Sequence, residues 1–119
     1  MNLDLEGKVA IITGGSDGIG RAAALSMSRE GARVAIAART KVTLAEAASQ
    51  ISTETGNEVI GISADVSDEA QVESLIRQVA DRWGQIDIIV NNAGTSSFAR
   101  LEEMTNEQMV ADVALKVYG

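Results

Sequence analysis

Four short β-branched or apolar runs, at residues 8–12, 33–37, 58–62 and 86–90, recur along the chain with helical spacing of the apolar residues between them. Runs without polar alternation are strands buried on both faces, and connections this long are crossovers rather than hairpins. The pattern predicts an α/β fold: a Rossmann-type, doubly wound parallel sheet of four strands with helices on both faces. Right-handed crossovers give it the expected order 3-2-1-4. At 119 residues, with no repeat or linker, 1–119 is expected to be a single domain.

The helices carry their own end signals. From Ile19 to Glu30 the expected inner side is Ile19, Ala22, Ala23 and Met27, with Gly31 as the stop. Thr40 is the expected cap of a second helix facing inward through Leu44, Ala47, Ala48 and Ile51 and ending near Gly56. A third opens at Ser67 as N-cap, with Asp68 and Glu69 in its positive first turn. Its apolar positions are Val72, Leu75, Ile76, Val79, Ala80 and Trp83, and Gly84 closes it. A fourth is expected from Thr105, where Gln108 completes a capping box and Met104 staples onto Met109; its inner face is Met109, Val110, Val113 and Val117. If the sheet stops at the fourth strand, residues 86–90 form an apolar edge open to pairing.

Composition removes several function classes. With no His and no Cys there is no Ser-His-Asp triad, thiolate nucleophile, disulfide or structural zinc site, and any metal would rest on oxygen ligands alone; none is expected. Net charge −7 and 3% aromatic residues disfavour nucleic acid and anionic membranes as partners. No apolar stretch approaches the roughly 18 residues of a membrane span, and the start has no basic region followed by an apolar one. The expected location is the cytoplasm, with a small molecule as substrate.

Between the first strand and the first helix lies Thr13-Gly14-Gly15-Ser16-Asp17-Gly18-Ile19-Gly20. Its glycines permit a tight turn and close ligand approach, and the amides and dipole at a helix start favour a pyrophosphate. The spacing G-x-x-x-G-x-G differs from the commoner G-x-G-x-x-G. A Gly-rich turn with no ligand is the alternative, and the position directly after the first strand favours dinucleotide binding. Asp17 is unsuited to phosphate by charge, so its expected contact is through its backbone. About 20 residues further on, an acid would bind a ribose 2′-hydroxyl and an Arg a 2′-phosphate. Here the residues are Ala38-Arg39-Thr40-Lys41, two cations and no acid, which favours NADP(H) over NAD(H); the alternative for Arg39 is a plain surface side chain.

The chain resembles the short-chain dehydrogenase/reductase family, through Thr13-Gly14-x-x-x-Gly18-x-Gly20, Asp65-Val66 after the third strand, and Asn91-Asn92-Ala93-Gly94 after the fourth. The match runs from about Leu5 to the end of the chain. The resemblance implies cofactor contacts from Gly14, Ser16, Asp17, Gly18, Ile19 and Gly20 in the loop. It implies adenine contacts from the Asp65 side chain and the Val66 backbone, and a ribose lining from Asn92, Ala93 and Gly94. Read from the residues alone, Asp65 is also a helix-start acid, and Asn91 and Asn92 a strand-ending turn.

Members of that family are about twice this length. The resemblance implies a catalytic Ser and a Tyr-x-x-x-Lys pair, and none of these lies within residues 1–119. No residue stands four positions after Tyr118, and Ala114 occupies the family's usual Asn position. The expectation is therefore the cofactor-binding half of an oxidoreductase that moves hydride between NADP(H) and a carbonyl or secondary alcohol, homo-oligomeric at full length. By itself this half is expected to be inactive. A truncated dinucleotide-binding or assembly module is the alternative. A third reading, an S-adenosylmethionine methyltransferase, lacks the acid after the second strand that a free ribose requires.

Overall fold

Val9–Thr13 forms strand β1, and every one of its five residues is buried, as a strand covered on both faces must be. The computed structural model describes residues 5–14, 18–91 and 115–117. After β1 come α1 (Gly18–Arg29), β2 (Arg33–Ala38), α2 (Lys41–Thr55), β3 (Val59–Ser63), α3 (Glu69–Trp83), β4 (Ile88–Asn91) and β5 (Leu115–Val117). The sheet order is β3-β2-β1-β4-β5. The first four strands are parallel in the expected order 3-2-1-4, with Ile11 opposite Ala35 and Ile89, and Ile36 opposite Gly61. Among the described residues no helix is long and apolar enough to cross a membrane.

Alternate residues of each strand feed two separate cores. Ala10, Ile12, Val34, Ile36, Ile88 and Val90 pack with Ala24 and Met27 of α1 and Leu44, Ala47, Ala48 and Ile51 of α2. Val9, Ile11, Ala35, Ala37 and Ile89 pack with Val72, Leu75 and Val79 of α3 on the other face. The inner faces expected of α2 and α3 are therefore the buried ones, with Ile76 and Trp83 partly buried at the margin. Gly56 and Gly84 end these helices with φ of 75° and 77°, and each cap N–H reaches back four residues, to the Ser52 and Ala80 carbonyls.

Four local expectations are corrected. In α1 the buried residues are Gly20, Ala24, Met27 and Ser28, whereas Ile19 is 72% exposed and Ala22 is exposed. Apolar counting misses this phase because the contact face uses small residues for close approach to the sheet, and the Ser28 hydroxyl is satisfied by Thr55 Oγ1 at 2.7 Å. Asp68, not Ser67, is the N-cap of α3: its Oδ1 accepts from the Ala70 N–H at 2.9 Å, while Ser67 is committed to Asp65. Thr40 does hold the N-cap position of α2, without a side-chain capping bond. Ile86 and Asp87 precede β4, and the Asp87 carboxylate instead accepts the Val9 N–H at 2.8 Å. Finally, Leu115–Val117, assigned above to the fourth helix, is a strand antiparallel to β4, with Ile89 opposite Lys116. An apolar parallel edge leaves a row of amides and carbonyls unpaired, and β5 takes up that edge. The remainder of that helix, its capping residues Thr105 and Gln108 and its staple of Met104 and Met109, lies outside the described residues.

Candidate dinucleotide site

Because β1, β2 and β3 run parallel, the segments leaving them emerge at one edge of the sheet, where ligands bind in open α/β folds. A cleft of about 370 Å3 opens there, lined by Gly14, Ala37, Ala38, Arg39, Ala64, Asp65, Val66 and Ser67. Gly14 after β1, Arg39 after β2 and Asp65 after β3 thus line one cleft.

Hydrogen bonds continue past the strand ends and hold this edge together. The Gly14 N–H donates to the Ala37 carbonyl at 2.8 Å, the Ala64 N–H to the Ala38 carbonyl at 2.9 Å, and the Ser63 hydroxyl to the Arg39 carbonyl at 3.2 Å. Gly14 and Gly18 have φ of 66° and 55°, left-handed values that disfavour any side chain. A Cβ built on Gly18 meets no atom within 4 Å, so the backbone is open where α1 begins. Gly20 is buried, and Ile19 stands 72% exposed in the first turn of α1. Ser16, Asp17, Asn92, Ala93, Gly94, Ala114 and Tyr118 lie outside the described residues.

Arg39 is exposed, and among the described residues its guanidinium makes no hydrogen bond or ion pair. Asp65 is held more tightly. Its Oδ1 accepts both the Ser67 hydroxyl at 2.6 Å and the Ser67 N–H at 3.0 Å, and its own N–H donates to Gln71 Oε1 at 2.8 Å. The Ser67 hydroxyl first, then the Ser67 amide, and with them the nearby Arg39 charge, hold the Asp65 carboxyl below its ordinary value despite partial desolvation. Val66 is half-buried and packs on the core beneath α3. Read from sequence, Ser67 was a helix cap; the signal for its other role was the two-residue spacing from Asp65, typical of a side chain that bonds the backbone two residues on. Among the described residues no cluster of three acidic groups could hold a metal ion.

Gly14, the exposed Arg39 and the Ser67-bound Asp65 line the same cleft, and comparison with known proteins places the chain. The family model for short chain dehydrogenases matches residues 8–118. The chain therefore belongs to the short-chain dehydrogenase family. It is 44% identical to sorbitol dehydrogenase of Cereibacter sphaeroides over 115 residues, 97% of this chain and 43% of that protein. Hydroxynaphthalene reductase of Aspergillus fumigatus is 41% identical over 88% of this chain and 38% of its own length. Among solved structures, L-sorbose reductase from Gluconobacter frateurii, complexed with NADPH and L-sorbose, superposes with a TM-score of 0.76 at 40% identity, covering 80% of this chain and 36% of that one. The chain thus spans about two-fifths of the length of the curated relatives it matches.

Proposed function

We propose that residues 1–119 are the NADP(H)-binding half of a cytoplasmic, homo-oligomeric short-chain oxidoreductase acting on a small carbonyl or secondary alcohol. The observation that carries this reading is the convergence of Gly14, Arg39, Asp65 and Val66 on one cleft at the carboxyl edge of the sheet. In it the glycine loop, with Ser16, Asp17 through its backbone, Gly18, Ile19 and Gly20, receives the pyrophosphate at the start of α1. Arg39 pairs with the 2′-phosphate, Asp65 accepts from the adenine amine, Val66 offers its backbone, and Asn92, Ala93 and Gly94 line the ribose. The bound nicotinamide supplies the hydride chemistry. The family's catalytic Ser and Tyr-x-x-x-Lys belong to the remainder of such a reductase, and this half turns over no substrate by itself. Relatives named as acting on sorbitol and L-sorbose make polyols and ketoses the first substrates to test.

The test is calorimetric titration of the chain with NADPH and NADH, repeated for Arg39→Asp. The unaltered chain is expected to favour NADPH. Loss of one charge-assisted contact, worth about 1.5–3 kcal/mol, should shift the NADPH/NADH ratio by about tenfold or more toward NADH. An unchanged ratio refutes the role of Arg39, and binding of neither dinucleotide refutes the reading as a whole.

A further inference from the structure

We propose that Ser67 is a positioning residue for cofactor recognition: by engaging Oδ1 of Asp65 with both its hydroxyl and its amide, it reserves Oδ2 for the amino group of adenine. The inference rests on the reading of Asp65 as the adenine contact and deepens it. Rotation about the last bond of an Asp side chain is broad, so a carboxylate at a cleft rim has no single orientation unless donors impose one. Here two donors from one residue converge on the same oxygen, at 2.6 and 3.0 Å, while among the described residues Oδ2 accepts nothing. Both Asp65 and Ser67 line the cleft.

The backbone at this corner is anchored separately from the Ser67 hydroxyl. The Asp68 N–H donates to the Asp65 carbonyl at 3.0 Å, the Asp65 N–H to Gln71 Oε1 at 2.8 Å, and Gln71 Nε2 to Asp68 Oδ2 at 3.2 Å. This ring closes without Ser67 Oγ, and the Ser67 N–H remains when the hydroxyl is removed. Ser67→Ala therefore deletes one restraint on the carboxylate and leaves the turn in place. Chemically, an ionised Oδ2 accepts from the 6-amino group of adenine and opposes the 6-oxo group of hypoxanthine. Asp65 is an ionised acceptor at neutral pH, as any Asp near its ordinary value is, and the Ser67 bonds only lower its proton affinity further.

The experiment compares NADPH with its hypoxanthine analogue by calorimetry, in the unaltered chain, Ser67→Ala and Ser67→Thr, with thermal melting of each as the control for folding. The unaltered chain should prefer adenine by about tenfold, the scale of one hydrogen bond to a charged group. Ser67→Ala should bring that preference to about twofold or less, and Ser67→Thr should restore it. A merely structural serine would lower affinity for both dinucleotides alike and leave the preference intact. Retention of the preference in Ser67→Ala, or its loss in a folded Ser67→Thr, overturns the proposal. Binding of NADPH without any adenine preference overturns it while leaving the cofactor reading standing, and failure of the unaltered chain to bind either dinucleotide overturns both.

Discussion

Gly61 is exposed at the β3 edge of the sheet, yet the space a side chain would fill there is taken. A Cβ at this position would lie 2.9 Å from Leu44 Cγ and 3.2 Å from the Leu44 carbonyl oxygen. Leu44 is 1% exposed and belongs to the core beneath α1 and α2, so it has no open space into which to swing. Relief would need α2 to lift from β3 by roughly half an ångström, or Leu44 to leave its rotamer; overpacking of this kind costs about 1–3 kcal/mol. Against that, replacing Gly in a strand recovers about 0.5–1 kcal/mol of backbone entropy. Gly61→Ala should therefore destabilise by about 1 kcal/mol, and Gly61→Val, with two further methyl groups, by about 2–3 kcal/mol. The assay is urea denaturation followed by far-ultraviolet circular dichroism and by emission from Trp83, the single tryptophan. Leu44→Ala alone should cost about 2–5 kcal/mol, but the pair Leu44→Ala/Gly61→Val should cost at least about 1 kcal/mol less than the sum, because the new methyls occupy the vacated volume. A Gly61→Val chain as stable as the parent, or a double variant with purely additive losses, would refute the reasoning.

Two further outcomes are expected. Gly18→Ala meets no protein atom, so its stability should fall only by the roughly 1–2 kcal/mol of a left-handed backbone, while Gly18→Val should abolish dinucleotide binding; unaltered affinity by calorimetry would remove the loop from the site. The Glu58 carboxyl accepts from Arg82 Nε and Nη2 at 3.0 and 2.6 Å and from Trp83 Nε1 at 3.0 Å. The Arg82 bond first, then Trp83, holds its pKa below the ordinary 4.5. A depressed folded value means this contribution is fully present above about pH 4.5 and fades as pH falls through the folded value. With Arg82 and Glu58 side chains 50% and 42% exposed, it is worth less than about 1 kcal/mol. Trp83 emission should titrate in that acidic window and lose the transition in Glu58→Gln; persistence of the transition would assign it elsewhere.

Strands β1 to β4 and helices α1 to α3 were legible because their signals are local. Runs such as Val34-Ala35-Ile36 are apolar on both sides wherever they end up, and Gly56 and Gly84 stop helices by their own backbone freedom. The inner faces of α2 and α3 followed from spacing alone, since large aliphatic side chains mark them. The inner face of α1 did not, because Gly20 and Ser28 are buried there and carry no hydropathic mark. Likewise, residues 115–117 fit a helical period as read, and only the edge of β4 makes them a strand.

For the proposed site, Gly14 and Arg39 stood out by type and position after a strand, Asp65 and Val66 through the family resemblance, and parallel strands deliver all four to one edge. What the linear order does not contain is the pairing of groups across that edge: Ser63 on the Arg39 carbonyl, Ser67 on Asp65 rather than on α3, and the space above Gly61 filled by Leu44. These depend on which of several near-equal local partners is closest once the strands are in register. Sequence by itself determined the first four strands, the three helices between them and their order, since those are set within a few residues. Tertiary structure decided the orientation of the carboxylate and the phase of α1, because both are settled by contacts with residues that only packing brings within reach.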